Sequence, residues 1–175
     1  MIILSDTRQQ EHKHDTKLKY FAEHDVEVRR TKLYIGDYTL PINQSICLDT
    51  KFCIQELIGD ICGKSHERFR NELIRAQESN IKLIVLVENL ADYVPYTNKK
   101  IWNNQVNSIQ DLFSWKNPRL FVRRAGKQIY PTATKGATVA KACLTMQEKY
   151  GVEFLFCHPK DSGEIILKLL GVNES

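Results

Sequence analysis

The alternation of apolar and polar positions divides the chain into short strands and helices. Met1–Asp6 is an apolar run ending in a carboxylate, and Lys17–His24 has the spacing of a short helix. Val26–Val28 and Leu33–Leu40 alternate with period two, as does Ile46–Phe52 beyond the turn residues Pro41–Gln44. Residues 33–52 therefore predict a β-hairpin. Ile54–Cys62 is a short helical piece, and Ser65 is an N-cap candidate for a helix to about Ser79 with Phe69, Leu73 and Ala76 on one face. Ile81–Glu88 is almost unbroken in β-branched residues and leucine, the pattern of a central strand buried on both faces. Val139, Ala140, Cys143, Leu144 and Met146 mark a helix over Lys135–Tyr150, and Val152–Cys157 reads as a strand. A last helix opens at Ser162, turns Ile165, Ile166, Leu169 and Leu170 inward, and stops at Gly171. The order is β-α-βββ-α-α-β, an insert, then α-β-α. It predicts an α/β fold: a mixed central β-sheet flanked by helices on both faces, with a three-strand antiparallel start.

Residues 90–131 lose this periodicity, so the 175 residues are read as one domain carrying an inserted segment. No apolar run approaches the roughly 18 residues of a membrane span, and the first residues lack a basic leader. Five scattered cysteines without a C-x-x-C pair argue against a zinc site or a disulfide framework. A reduced, cytoplasmic protein without a membrane partner is the expectation. Charge changes the picture only locally. The net charge is +4, yet seven basic residues face two acids within 90–131, which leaves the remainder slightly acidic. The same segment holds Tyr93, Tyr96, Trp102 and Trp115. Aromatics beside cations suit DNA, through stacking and phosphate neutralisation, with Arg123 and Arg124 as backbone contacts. Packing of those aromatics onto the core is the competing role.

Chemistry concentrates on the predicted hairpin. In a strand, residues i and i+2 share a face, so Asp49 and Lys51 project together. Two other acid-x-Lys tripeptides, Glu11–Lys13 and Asp15–Lys17, lie where no strand enforces that geometry. Asp37 lies as far before Asn43 as Asp49 lies after it, so a turn centred on Asn43 brings the two carboxylates opposite each other. A slip by one residue would send them to opposite faces. Two adjacent carboxylates repel, and a divalent cation is the natural compensation. A lysine beside it can orient water and offset phosphate charge. Asp37, Asp49 and Lys51 thus form a minimal set for metal-assisted phosphodiester hydrolysis; the competing role is an exposed cross-strand charge pair.

Gly36-Asp37-Tyr38, followed by a strand bearing Asp49-x-Lys51 and then an acid, resembles the XPF-type nuclease domain of the PD-(D/E)XK nuclease superfamily. Asp6-Thr7-Arg8, Arg68-Phe69, the strand Ile81–Glu88 and the closing strand and helix match that family in order, over nearly the whole chain outside 90–131. The resemblance implies a restriction-endonuclease-like core and a Mg²⁺- or Mn²⁺-dependent DNA endonuclease acting on branched DNA such as forks or flaps. It further implies that Asp37, Asp49 and the Thr50 carbonyl hold the metal while Lys51 positions the attacking water, with Glu56 and Asp6 as further acids. Arg8, Arg68 and Arg75 become DNA contacts, although Arg8 equally suits a brace for Asp6 and Arg68-Glu72-Arg75 an exposed charge ladder. A stand-alone bacterial or phage form, and a homodimer through the carboxy-terminal helices, are expected by the same analogy. Three departures stand out: Asp49 for the family's Glu, Thr50 for its Arg, and Gln55 at the place of its downstream Asp, with Glu56 one residue later. The alternatives are a non-catalytic DNA-binding scaffold and a Holliday-junction-resolvase-like or restriction-type nuclease.

Overall fold

The structure is a computed structural model. It describes residues 1–9, 13–89 and 106–172, together with the backbone of Asp92–Tyr93 and Lys100–Ile101. Its main sheet contains β1 (Ile2–Asp6), β2 (Glu27–Thr31), β3 (Tyr38–Thr39), β4 (Ile46–Lys51), β5 (Lys82–Glu88) and a late strand at Glu153–Cys157. Helices α1 (Asp15–Glu23), α2 (Ile54–Ile61) and α3 (His66–Glu78) lie between these strands in sequence. Two-residue strand pairs follow, β6 (Asp92–Tyr93) with β7 (Lys100–Ile101) and β8 (Arg123–Arg124) with β9 (Lys127–Gln128), separated by the short helix α4 (Ile109–Leu112). Helix α5 (Gly136–Tyr150), strand β10 (Glu153–Cys157) and helix α6 (Ser162–Leu169) complete the fold.

The sheet order is β10-β5-β4-β3-β1-β2. Strands β4, β5 and β10 run parallel to one another, while β3 is antiparallel to both β1 and β4. One expectation is corrected here. The start of the chain is not a three-strand antiparallel unit, because β2 pairs in parallel with β1 at the sheet edge. Helix α1 is the crossover that a parallel pair requires, and that crossover returns the chain on the far side of β1. The first hairpin strand is also shorter than its alternation suggests. Residues 33–37 do not pair as a strand, because Gly36 turns the backbone with φ +70° just before β3. A side chain is barred there, since a Cβ on Gly36 would stand 2.7 Å from the Leu48 carbonyl oxygen.

Strand β5 explains the layering. Its residues after Lys82 are all buried. Leu83, Val85 and Val87 face one cluster built with Leu57 and Ile61 of α2, Phe69 and Leu73 of α3, and Val139 and Cys143 of α5. Ile84 and Leu86 face the other, with Phe21 of α1 and Ile166 and Leu167 of α6. The period of two therefore sends alternate side chains into opposite helical layers. In α5, Val139, Ala140, Cys143 and Met146 are buried as expected, but Leu144 is 45 % exposed.

Part of the inserted segment folds onto the core. Val106 and Leu112 join the first cluster, and the partly buried Trp115 packs against it. Gly136 opens α5 beneath it, where a Cβ would meet the Leu112 and Trp115 carbonyl oxygens at 2.2 and 2.4 Å. Tyr96 and Trp102, and the side chain of Tyr93, lie outside the described residues. Among the described residues no helix is long and apolar enough to cross a membrane.

Candidate active site

The parallel strands all end at one edge of the sheet, among them β1 at Asp6, β4 at Lys51 and β5 at Glu88. The antiparallel β3 begins at that edge, immediately after Asp37. Carboxyl ends of parallel strands and the start of an antiparallel neighbour thus gather chemistry that is far apart in sequence. A cavity of about 480 Å³ lies there, lined by these residues and by α1, α2 and α3.

The register is the one the hairpin symmetry requires. Tyr38 pairs with Leu48 and Thr39 with Cys47, which sets Asp37 across from Asp49, and the Asp37 amide donates to the Leu48 carbonyl at 2.6 Å. Asp37 Oδ2 accepts from the Thr50 amide at 2.9 Å and from its hydroxyl at 2.6 Å. Thr50, at the place of the family's Arg, therefore fastens the first carboxylate. The Gly36 amide donates to Glu72 Oε1 of α3 at 2.9 Å and so fixes the turn from the other side.

Asp49 and Lys51 share a face, as their spacing predicts, and both are buried. Lys51 Nζ lies 2.7 Å from Asp49 Oδ2 and also 2.7 Å from Oδ2 of Asp60 on α2. Its charge sits 5.3 Å from the centre of the Phe69 ring. Asp49 Oδ2 accepts no well-directed hydrogen bond despite this proximity. Burial, reinforced by Asp37 and Glu72 against the opposing pull of Lys51, pushes the Asp49 carboxyl up to about 8. Burial works to lower the Lys51 ammonium, but Asp49 and Asp60 outweigh it and hold the group protonated above its ordinary range.

The remaining predicted residues take distinct places. Asp6 lines the cavity, but its carboxylate is fully engaged. It accepts from the Arg8 amide at 2.6 Å, from Arg8 Nε at 2.8 Å and Nη2 at 2.6 Å, and from the Leu33 amide at 3.0 Å. Burial works against its ionised form, but these bonds prevail and lower its pKa. Asp6 is a brace for the 6–8 and 33 backbone, and Arg8 is committed to it. Glu56 accepts from the Phe52 amide at 2.7 Å and from Lys13 at 3.3 Å, and so closes the start of α2. Arg68 and Arg75 line the cavity, yet they do not form the anticipated ladder through Glu72. Arg68 reaches Asp60 at 3.3 Å, and Arg75 lies 5.8 Å from the Tyr34 ring centre. Arg123 and Arg124 occupy the exposed β8–β9 hairpin and do not line the cavity. Gln55, at the place of the family's downstream acid, donates to buried Asn117 at 2.7 Å and ties α2 to the inserted segment.

The sequence does not mark several polar residues that line the cavity, among them His14, Lys17, Asp60 and Glu88, and it reads Glu72 only as a rung between Arg68 and Arg75. Lys17 and Glu88 form a buried ion pair on the cavity wall, and burial pushes the Glu88 carboxyl up against the pull of Lys17. The end of the central strand was the available signal for Glu88. Lys17 belongs to an acid-x-Lys tripeptide on α1 whose ends diverge, because i and i+2 do not share a helix face. Among the described residues no three His, Cys, Asp or Glu side chains are gathered closely enough to hold a metal ion alone. A metal bound here would draw two carboxylates from the protein and the rest of its shell from water and a phosphate, the usual habit of magnesium. The donor set fits it: the buried Asp49 Oδ2 has only the Lys51 ammonium beside it, and seven acidic side chains outnumber six Lys and Arg around the cavity.

The model of the ERCC4 domain matches residues 5–169. The chain belongs to the ERCC4 domain family. Solved structures similar to it include XPF from Aeropyrum pernix, at 16% identity and TM-score 0.59, covering 97% of this chain and 63% of that one. The same protein in complex with DNA gives 16% identity and TM-score 0.58, over 98% and 64%. At that identity the likeness is one of fold, and this ERCC4 domain spans just under two thirds of those chains. No curated protein matched the sequence.

Proposed function

We propose that this ERCC4 domain is a divalent-metal-dependent DNA endonuclease that cuts one phosphodiester bond in branched DNA. The observation that carries this is the Asp37–Asp49 register with Lys51 on the same face as Asp49, at the floor of a cavity. Asp37 and Asp49 would hold Mg²⁺ or Mn²⁺, with the Thr50 carbonyl beside them. Such an ion, when bound, supplies Lewis-acid polarisation of the phosphate and a more acidic water. The protein's own groups do the rest. Lys51 would hold a positive charge beside the scissile phosphate, and Thr50 keeps Asp37 oriented. Arg8 and Arg68 are 60% and 78% exposed at the rim, above the buried pairs that Lys51 and Lys17 make with Asp49, Asp60 and Glu88. A phosphate backbone meets arginines first and the cation site beneath them.

The test is cleavage of fork, flap, four-way-junction and linear DNA with Mg²⁺, Mn²⁺ or EDTA. Wild type is expected to cut forks or flaps only with metal and to leave 5′-phosphates. Asp49→Ala should abolish cutting, and Lys51→Met should slow it by about a hundredfold or more while DNA binding persists. A wild type that binds DNA and cuts nothing would make the domain a scaffold. Preference for four-way junctions would make it a resolvase.

A further inference from the structure

We infer that Asp60 is a positioning residue that receives the Lys51 ammonium when Asp49 turns to a divalent cation, an inference that rests on the metal-dependent function proposed above. The ammonium is shared between two carboxylates at the same 2.7 Å distance. Asp60 comes from α2 rather than from the strand, is 5% exposed, and is steadied by Arg68 at 3.3 Å from its other oxygen. Phe69 closes the remaining side. Without metal, Lys51 serves as the internal cation for Asp49 Oδ2, which has no directed hydrogen bond to lose.

A divalent ion on Asp49 brings a like charge beside the ammonium and takes its partner away. A buried ammonium left unpaired is costly, so a site lacking Asp60 would keep Lys51 on Asp49 and resist the incoming ion. With Asp60 present, the ammonium keeps a carboxylate partner throughout and stays within reach of the reacting phosphate. Asp60 thereby sets two quantities together: the ease of loading the ion, and the place of Lys51 once it is loaded.

The test measures Mn²⁺ binding by calorimetry to the DNA-free protein, on wild type, Asp60→Asn, Lys51→Met and the double variant. Circular dichroism checks folding. Asp60→Asn should weaken Mn²⁺ binding by roughly threefold or more, and Lys51→Met should tighten it. The double variant should bind as tightly as Lys51→Met, because the competitor whose position Asp60 governs is gone. A residue with a merely structural role would not be rescued by removing Lys51. Unchanged binding in Asp60→Asn, or a double variant as weak as Asp60→Asn, overturns the inference. If Asp60→Asn does not fold, Lys51→Met decides, and no tightening there also overturns it. Wild type that shows this binding pattern but cuts no DNA overturns the nuclease proposal alone; wild type that binds no Mn²⁺ at millimolar concentration overturns both.

Discussion

Removing the charge of Asp49 should stabilise the metal-free protein and abolish its chemistry, and the effect should depend on pH in a defined direction. The Asp49 carboxyl has an ordinary value of 3.8 and stands at about 8 in the folded chain, chiefly through burial. A group raised in this way favours folding while protonated. Its contribution is complete below about pH 4 and is lost progressively as pH climbs through 8. The full interval corresponds to at most about 5–6 kcal/mol at 1.36 kcal/mol per pKa unit. Asp49→Asn keeps the shape and removes the charge, but a buried amide carries its own cost. Lys51 retains Asp60 in the variant. A net gain of roughly 1–3 kcal/mol at pH 8 is expected after these offsets. For a domain of this size it amounts to a rise in Tm of about 2–4 °C per kcal/mol. Thermal and urea unfolding of both proteins at pH 4 and pH 8, with EDTA or Mn²⁺, is the assay. The two curves should coincide near pH 4 and separate near pH 8, and Mn²⁺ should raise wild type alone. If Asp49→Asn is the less stable protein at pH 8 in EDTA, the buried carboxylate is contented with Lys51, and the argument for a cation site falls.

Other outcomes follow from single contacts. Asp6→Ala removes the acceptor of four donors, two of them backbone amides. It should cost about 2–4 kcal/mol in urea unfolding, with loss of cleavage only in proportion to lost structure; a specific loss of activity in a fully stable variant would return Asp6 to the metal. Gly36→Ala forces a side chain onto φ +70° and against the Leu48 carbonyl. A destabilisation of about 1–3 kcal/mol is expected, with Asp37 displaced and cleavage lost. Arg123→Glu with Arg124→Glu should weaken DNA binding at low salt and reduce the salt slope by about one for each phosphate contact removed; unchanged affinity would confine DNA to the cavity side.

Much was legible in the chain because local physics decides it. The run Ile81–Glu88 can be satisfied only between two apolar layers, and it became the six-residue buried stretch of β5. The equal spacing of Asp37 and Asp49 about Asn43 anticipated the pairing of β3 with β4 because an antiparallel register is a symmetry about its turn. Asp49 and Lys51 shared a face because the period of a strand is two. Position 55 was visible as a departure, but its use as a clamp to Asn117 was not.

What the sequence could not carry is the identity of partners brought together across elements. Alternation marks Leu33–Leu40 as extended, yet the left-handed Gly36 and its close approach to Leu48 end that strand early. Arg68 and Arg75 have the spacing of a ladder, but Asp60 and Tyr34 compete for them from neighbouring segments. The sequence allows Arg8 to brace Asp6, and the structure has it so, but the Leu33 amide reaches that carboxylate only because β1 lies beside the 33–37 turn. Asp60, Lys17 and Glu88 become site residues only when α2, α1 and β5 converge on one sheet edge. Periodicity is a property of neighbours along the chain, and it therefore yields elements and faces; charge compensation in a buried site is settled by whichever groups packing delivers there, from any distance in sequence.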